Sequence, residues 1–307
     1  AQPWASGRLR GLDLSLRLPE QGLTLARGAL DVELRDNRLQ IHRFGFESPL
    51  QPPPRALRQV GGESLARLTA QPGRLDMVGE MRFDQPTGVK DVTDVTNAAH
   101  AWLDLRLDRV GVWQRADQWA LVSGSNRIGW QAGVLALRGL LTVDAGYWQL
   151  ARMGVPRLSE DVHVRRAGTP PATVHVRPRL DLEVTADLGR QFLFEGAGLT
   201  SGLAGQVRIS ALGRDLPRAS GSIQARDGRF EAYGQKLEIE RGILRFNGLL
   251  DNPGLDVRAV RRGLVVEPGV QIGGSAQKPV VRLISEPDLP EAEKLAWLVL
   301  GHGSEQM

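Results

Sequence analysis

The 307-residue sequence contains no cysteine, which excludes disulfides and thiolate metal sites and fits either a reducing or an oxidising compartment. Aromatic residues make up only 5% of the chain. Trp113, Trp119, Trp130 and Trp148 do not interleave with an arginine cluster as a base-stacking platform requires. A sheet face or a membrane interface accounts for such tryptophans more simply. Lysine is scarce, confined to Lys90, Lys236, Lys278 and Lys294 among 39 basic residues. The net charge of +4 admits acidic partners, yet the arginines are dispersed along the chain, so no nucleic-acid partner is expected. No run approaches the roughly 18 apolar residues of a membrane-crossing helix. The Ala-Gln-Pro-Trp start lacks a signal-peptide pattern, so any anchor or export signal is expected outside these residues.

Catalytic furniture is missing as well. His42, His100, His163, His175 and His302 are scattered, with no spacing that gathers a metal. There is no Gly-x-Ser-x-Gly elbow, phosphate loop or HExxH sequence. Gly196-Ala197-Gly198 with Gly202 has the wrong spacing for a dinucleotide loop and reads as a turn. Asp181 with Glu183, and Glu238 with Glu240, stand as carboxylate pairs, but alternating strands produce such pairs on any solvated face. The expectation is no catalytic residue, no metal ligand and no cofactor; the chain reads as a non-enzyme.

What is present is alternation. Leu12, Leu14, Leu16 and Leu18 interleave with Asp13, Ser15 and Arg17, and Leu103, Leu105 and Leu107 with Asp104, Arg106 and Asp108. Leu180, Leu182 and Val184 repeat the pattern, as do Leu237 and Ile239 between glutamates. A strand sends successive side chains to opposite faces, so each run has one apolar face. Turn signals separate the runs and long amphipathic helices are absent, which predicts an all-β antiparallel meander. Arg27-Gly28, Arg138-Gly139 and Arg241-Gly242, together with Asp36-Asn37, Asp227-Gly228 and Asn247-Gly248, read as its tight turns. Pro49 to Gly62, residues 84 to 100 and Arg166 to Ala172 read as loops. One helix is expected at about 290–300, with Pro290 in its first turn, Glu291 and Glu293 at its positive end and Gly301 stopping it. The alternation suits a closed sandwich and an open apolar groove equally, because both need one greasy sheet face.

Three blocks carry a resemblance. The first joins Leu180-Asp181-Leu182-Glu183-Val184 to Phe192-Leu193-Phe194-Glu195-Gly196-Ala197-Gly198-Leu199. The second runs through Asp227-Gly228-Arg229-Phe230, Ala232-Tyr233-Gly234-Gln235-Lys236-Leu237, Ile239-Glu240-Arg241-Gly242 and Asp251-Asn252-Pro253-Gly254-Leu255-Asp256-Val257. The third holds Gly273-Gly274-Ser275-Ala276, Lys278-Pro279 and Glu293-Lys294-Leu295-Ala296-Trp297-Leu298-Val299-Leu300-Gly301. In this order they resemble the C-terminal region of the TamB family, the periplasmic, inner-membrane-anchored subunits of the translocation and assembly module. The resemblance covers about residues 140–307; residues 1–139 share the β pattern alone and are expected to be an upstream part of the same elongated sheet.

The resemblance implies a β-taco, a long sheet curled into a U with a hydrophobic groove, related to the AsmA-like bridge-like lipid carriers. It implies phospholipids and outer-membrane protein clients as cargo and a TamA-like Omp85 barrel as partner. The implied location is the periplasm of a Gram-negative bacterium, with the anchor in an N-terminal segment outside this chain. On this reading Leu180, Leu182, Val184, Phe230, Leu237, Ile239, Leu255 and Val257 line the groove. Val280, Val281, Arg282, Leu283 and Ile284, with Leu295, Leu298 and Val299 of the terminal helix, face the partner. A scaffold that templates client strands at its open edge, without carrying lipid, is the alternative.

Overall fold

The computed structural model describes residues 6–83, 99–150, 179–196, 198–232 and 234–303, and these form one 15-stranded sheet with two helices packed on it. The first seven strands are β1 (Gly7–Leu18), β2 (Leu23–Arg35), β3 (Arg38–Ser48), β4 (Gly73–Phe83), β5 (Ala99–Val112), β6 (Gln118–Gln131) and β7 (Val134–Gln149). They run as an antiparallel meander. β8 (Arg179–Asp187) and the short β9 (Phe192–Gly196) both lie parallel to β7. β10 (Leu199–Gly213) pairs with both of them and restores the antiparallel order. From there β11 (Arg218–Ala232), β12 (Gln235–Leu249), β13 (Gly254–Val260), β14 (Glu267–Ser275) and β15 (Lys278–Glu286) complete the sheet. The expected all-β meander is observed, interrupted by the parallel step from β7 to β8.

Two sequence expectations are corrected. Pro49 to Gly62 is not all loop: α1 (Arg55–Thr69) starts directly after Pro52-Pro53-Pro54, with Pro54 as its N-cap. The prolines bar a strand but not a helix that starts after them; the Gly61-Gly62 pair is weak in a helix, and Gly62 does kink it at φ 50°. Burial of Leu57 and Leu65 against the sheet outweighs that weak propensity. Of the six expected turns, only Asp36-Asn37 joins two strands, β2 and β3. The other five dipeptides lie inside β2, β7, β11 and β12. Arg27 and Asp227, at φ 48° and 49°, sit where the register shifts, so residues tolerant of positive φ serve bulges there instead of hairpins. Of the expected loop at 84–100, residues 84–98 lie outside the described residues and Ala99 and His100 belong to β5. Arg166 to Ala172, Lys90, His163, His175, Ala197 and Tyr233 also lie outside them. The terminal helix is present as α2 (Glu291–Val299), with Pro290 at its N-cap.

At one end the sheet curls. The Trp113 amide, just past β5, donates to the Gln21 carbonyl, just before β2, at 2.8 Å, and the Gln114 amide donates to Gly22 at 3.3 Å. Three strand spacings separate β2 from β5, about 14 Å in a flat sheet. Side chains fasten the same corner: Ser48 Oγ accepts from the Gly111 amide at 3.0 Å, and Gln114 Nε2 donates to the Pro49 carbonyl at 3.1 Å.

Candidate functional site

Residues paired across strands share a face, so the registers can be followed from β1 onward. One row runs Leu9, Val32, Ile41, Gly79, Leu103, Ile128, Leu137, Leu182, Ala211. Its neighbour runs Leu34, Leu39, Met81, Ala101, Trp130, Leu135, Leu180. On the other side lies Leu30, Phe44, Met77, Leu105, Asn126, Gly139, Val184, Ile209, Ala219, Gly248. The face is therefore apolar through eleven consecutive strand positions, with Asn126 its one polar side chain in these rows. Glycine allows close strand approach on it: a Cβ on Gly205 or Gly221 would lie 2.2 Å from a carbonyl oxygen of the adjoining strand.

The opposite face is charged and internally paired. Arg127 bonds Asp104 at 2.6 Å, Arg138 bonds Asp181 at 2.5 Å and Arg8 bonds Asp31 at 2.6 Å. Hydrogen bonding from these arginines holds Asp31 and Asp104 below the usual carboxylate range. Such exposed pairs contribute little stability but keep this face wet.

The residues expected to line a groove share the apolar face. Leu180, Leu182 and Val184 lie in the three rows already followed. β12 bulges between Ile239 and Arg241, so Leu237 and Ile239 stay on the same side as Leu255, Val257 and Ala259 of the straight strand β13, and Phe230 pairs with Leu237. They do not share one environment. Leu237 is fully buried, because Leu298 of α2 seats on Leu237, Ala259 and Val270, with Phe230, Ile239 and Leu283 packed around it. Leu180, Leu182, Leu137 and Ile128 stay half-buried.

The residues expected to face a partner divide further. β15 is the last strand of the sheet, and on it Val280, Val281 and Arg282 are exposed. Leu283 turns inward to α2 and Ile284 is half-buried. On α2, Leu295 is exposed while Leu298 is buried. The carbonyl of Val299 accepts from Gln235 Nε2 at 3.0 Å, and that of Leu298 accepts from Arg261 Nη1 at 2.9 Å.

Sequence reasoning missed a second covered patch. Leu121 pairs with Ala145 but Val122 with Val143, so β7 bulges there and the two faces exchange beyond it. The pairing of β9 agrees: Phe192 and Phe194 meet Leu203 and Ser201 on the apolar face, leaving Leu193 with Tyr147 on the other. On that reversed face α1 packs Leu57 and Leu65 against Trp119, Leu121, Ala145, Tyr147 and Leu193. Trp119 Nε1 donates to the Gln51 carbonyl at 3.2 Å and Tyr147 Oη to Glu195 at 2.7 Å. Burial and that carboxylate push the Tyr147 phenol up to about 12. Beside the bulge, burial raises the Asp144 carboxyl although Ser123 Oγ donates to it at 2.6 Å.

The model of the TamB C-terminal domain matches residues 64–307, most of the chain. The chain belongs to the TamB family. The match reaches back into α1, well upstream of the signature blocks that begin at Leu180. The chain is similar to the translocation and assembly module subunit TamB of Haemophilus influenzae, 27% identical over 155 residues. That alignment takes in 49% of this chain and 12% of the relative, so the chain spans a small part of the length of the TamB it matches. Among the described residues no helix is long and apolar enough to cross a membrane.

Proposed function

We propose that this chain is a non-catalytic bridge module of outer-membrane biogenesis that guides phospholipid along its apolar sheet face. The longer protein would be anchored in the inner membrane and would work in the Gram-negative periplasm with a TamA-like Omp85 barrel to assemble outer-membrane proteins. The observation that supports this reading is the apolar face that runs through eleven strand positions with Asn126 as the one polar side chain of its rows, charged on its reverse, which α2 covers only at the β12 to β15 end. Each acyl methylene removed from water there contributes about 0.8 kcal/mol. Aliphatic residues recur in every row, with glycine, alanine and a few larger side chains between them, so some gain is available at most strands and a chain would slide without a single sticking point.

Photo-crosslinking residues at Leu137 and Leu182 test it against probes at Arg138 and Glu183 on the reverse face. Phospholipid is expected on the first pair and not on the second; equal labelling of both pairs removes the face from the proposal. Leu237 is a poor probe site, since α2 already covers it.

A second reading draws on the open edge of β15, where Val281 is 60% exposed. There a client strand or the barrel would add to the sheet by backbone pairing. Proline replacements through Val280 to Ile284 should weaken capture of the barrel; undiminished capture removes this strand from the interface.

A further inference from the structure

Asn126 interrupts the apolar face. It is 7% exposed, and neither its Oδ1 nor its Nδ2 has a hydrogen-bond partner. In its row it stands between Leu105 and Gly139, and on its own strand between Gly124 and Ile128. A Cβ on Gly139 would lie 2.4 Å from Asn126 Oδ1, so the amide lies across bare glycine backbone. A buried amide with neither partner is worse for folding than an apolar side chain of similar size, and leucine would continue the row. Its presence is explained by a hydrogen-bonding group that arrives with a ligand.

We propose that Asn126 is a recognition point for acyl esters on this face. Resting on the lipid reading above, the ligand's chain lies along Leu105, Ile128 and Leu137 while Asn126 Nδ2 donates to the ester carbonyl. Gly139 has no side chain to obstruct the amide as it turns toward the ester. An ether-linked lipid has the same chains and headgroup but no carbonyl, so it satisfies the apolar rows and leaves Nδ2 unpaired.

The test offers the 307-residue chain vesicles of diester or diether phosphatidylglycerol with identical chains. Retained lipid is then measured by mass spectrometry after the vesicles are removed. The native chain should retain the diester about fivefold over the diether, the scale of one hydrogen bond. Asn126→Leu should retain both at the diether level and melt at the same or a higher temperature. Equal retention of the two lipids by the native chain, or a preference that survives Asn126→Leu, overturns the ester assignment and leaves the lipid face standing. Retention of neither lipid overturns the lipid reading itself and the ester site with it. The comparison of the two lipids on the native chain does not depend on how the variant folds.

Discussion

α1 and α2 cover opposite faces of one sheet, and they do so in different ways. α1 sits where the β7 bulge has turned Tyr147 to the reverse face beside Trp119 of β6, and it buries both with their polar tips bonded. α2 sits on the apolar face over mostly aliphatic residues with Phe230 at the margin, held at its C-terminal end by Arg261 and Gln235. The first arrangement completes a core. The second occupies a face that no described helix covers across most other strands, so the apolar side is helix-covered only beneath α2, while α1 closes a core on the reverse.

The largest effect that can test this contrast is at the α1 core. Trp119→Ala empties a fully buried site that Leu57 and Leu65 share, and should cost about 3–5 kcal/mol, read as a lowered midpoint of thermal or urea unfolding. A loss below about 1 kcal/mol would show that α1 is not part of the core and would erase the contrast.

Leu298→Ala should cost less, about 2–3 kcal/mol, and the loss should be local. Hydrogen exchange should quicken in Glu291–Val299 while β12 to β14 keep their protection. Should the whole sheet loosen with it, α2 is core in the same sense as α1. Arg261→Ala removes the bond to the Leu298 carbonyl and the longer one to Trp297, and should cost about 1 kcal/mol with the same local signature.

Much of this was legible in the sequence, for reasons particular residues make plain. Period-two alternation at Leu103 to Leu107 and Leu180 to Val184 encodes face directly, so the strands and the apolar side were readable. α2 was readable from its proline, its first-turn glutamates and Gly301. α1 was not, because three prolines and a Gly61-Gly62 pair suppress the local signal and its stability comes from Trp119, Leu121 and Leu193, distant in sequence. The exchange of faces at Asp144 was also hidden, since a bulge depends on the register of two strands and alternation in one strand cannot report it. Asn126 escaped for the same reason: within the polar stretch Ser125-Asn126-Arg127 it looks solvated until the pairing places it between Leu105 and Gly139.

The smallest expected effect separates, by pH, the exposed ion pairs of the charged face from the half-buried carboxylate at the bulge. Asp31 and Asp104, on the charged face, are held below their ordinary 3.8 by arginine hydrogen bonds. Their contribution is therefore present above pH 3.8 and is lost as the pH falls through their lower folded values. Asp144, beside the bulge, is raised by burial. There the native state holds a proton that the unfolded chain has released, so its contribution is complete below pH 3.8 and is lost as the pH rises through the higher folded value. Asp144→Asn should flatten the upper limb of the stability profile and leave the acid limb unchanged, while Asp104→Asn should do the reverse. Unfolding midpoints measured from pH 3 to 7 distinguish the two. An upper limb unaltered by Asp144→Asn would mean that water reaches the bulge freely, and that the seat of α1 is wetter than the seat of α2.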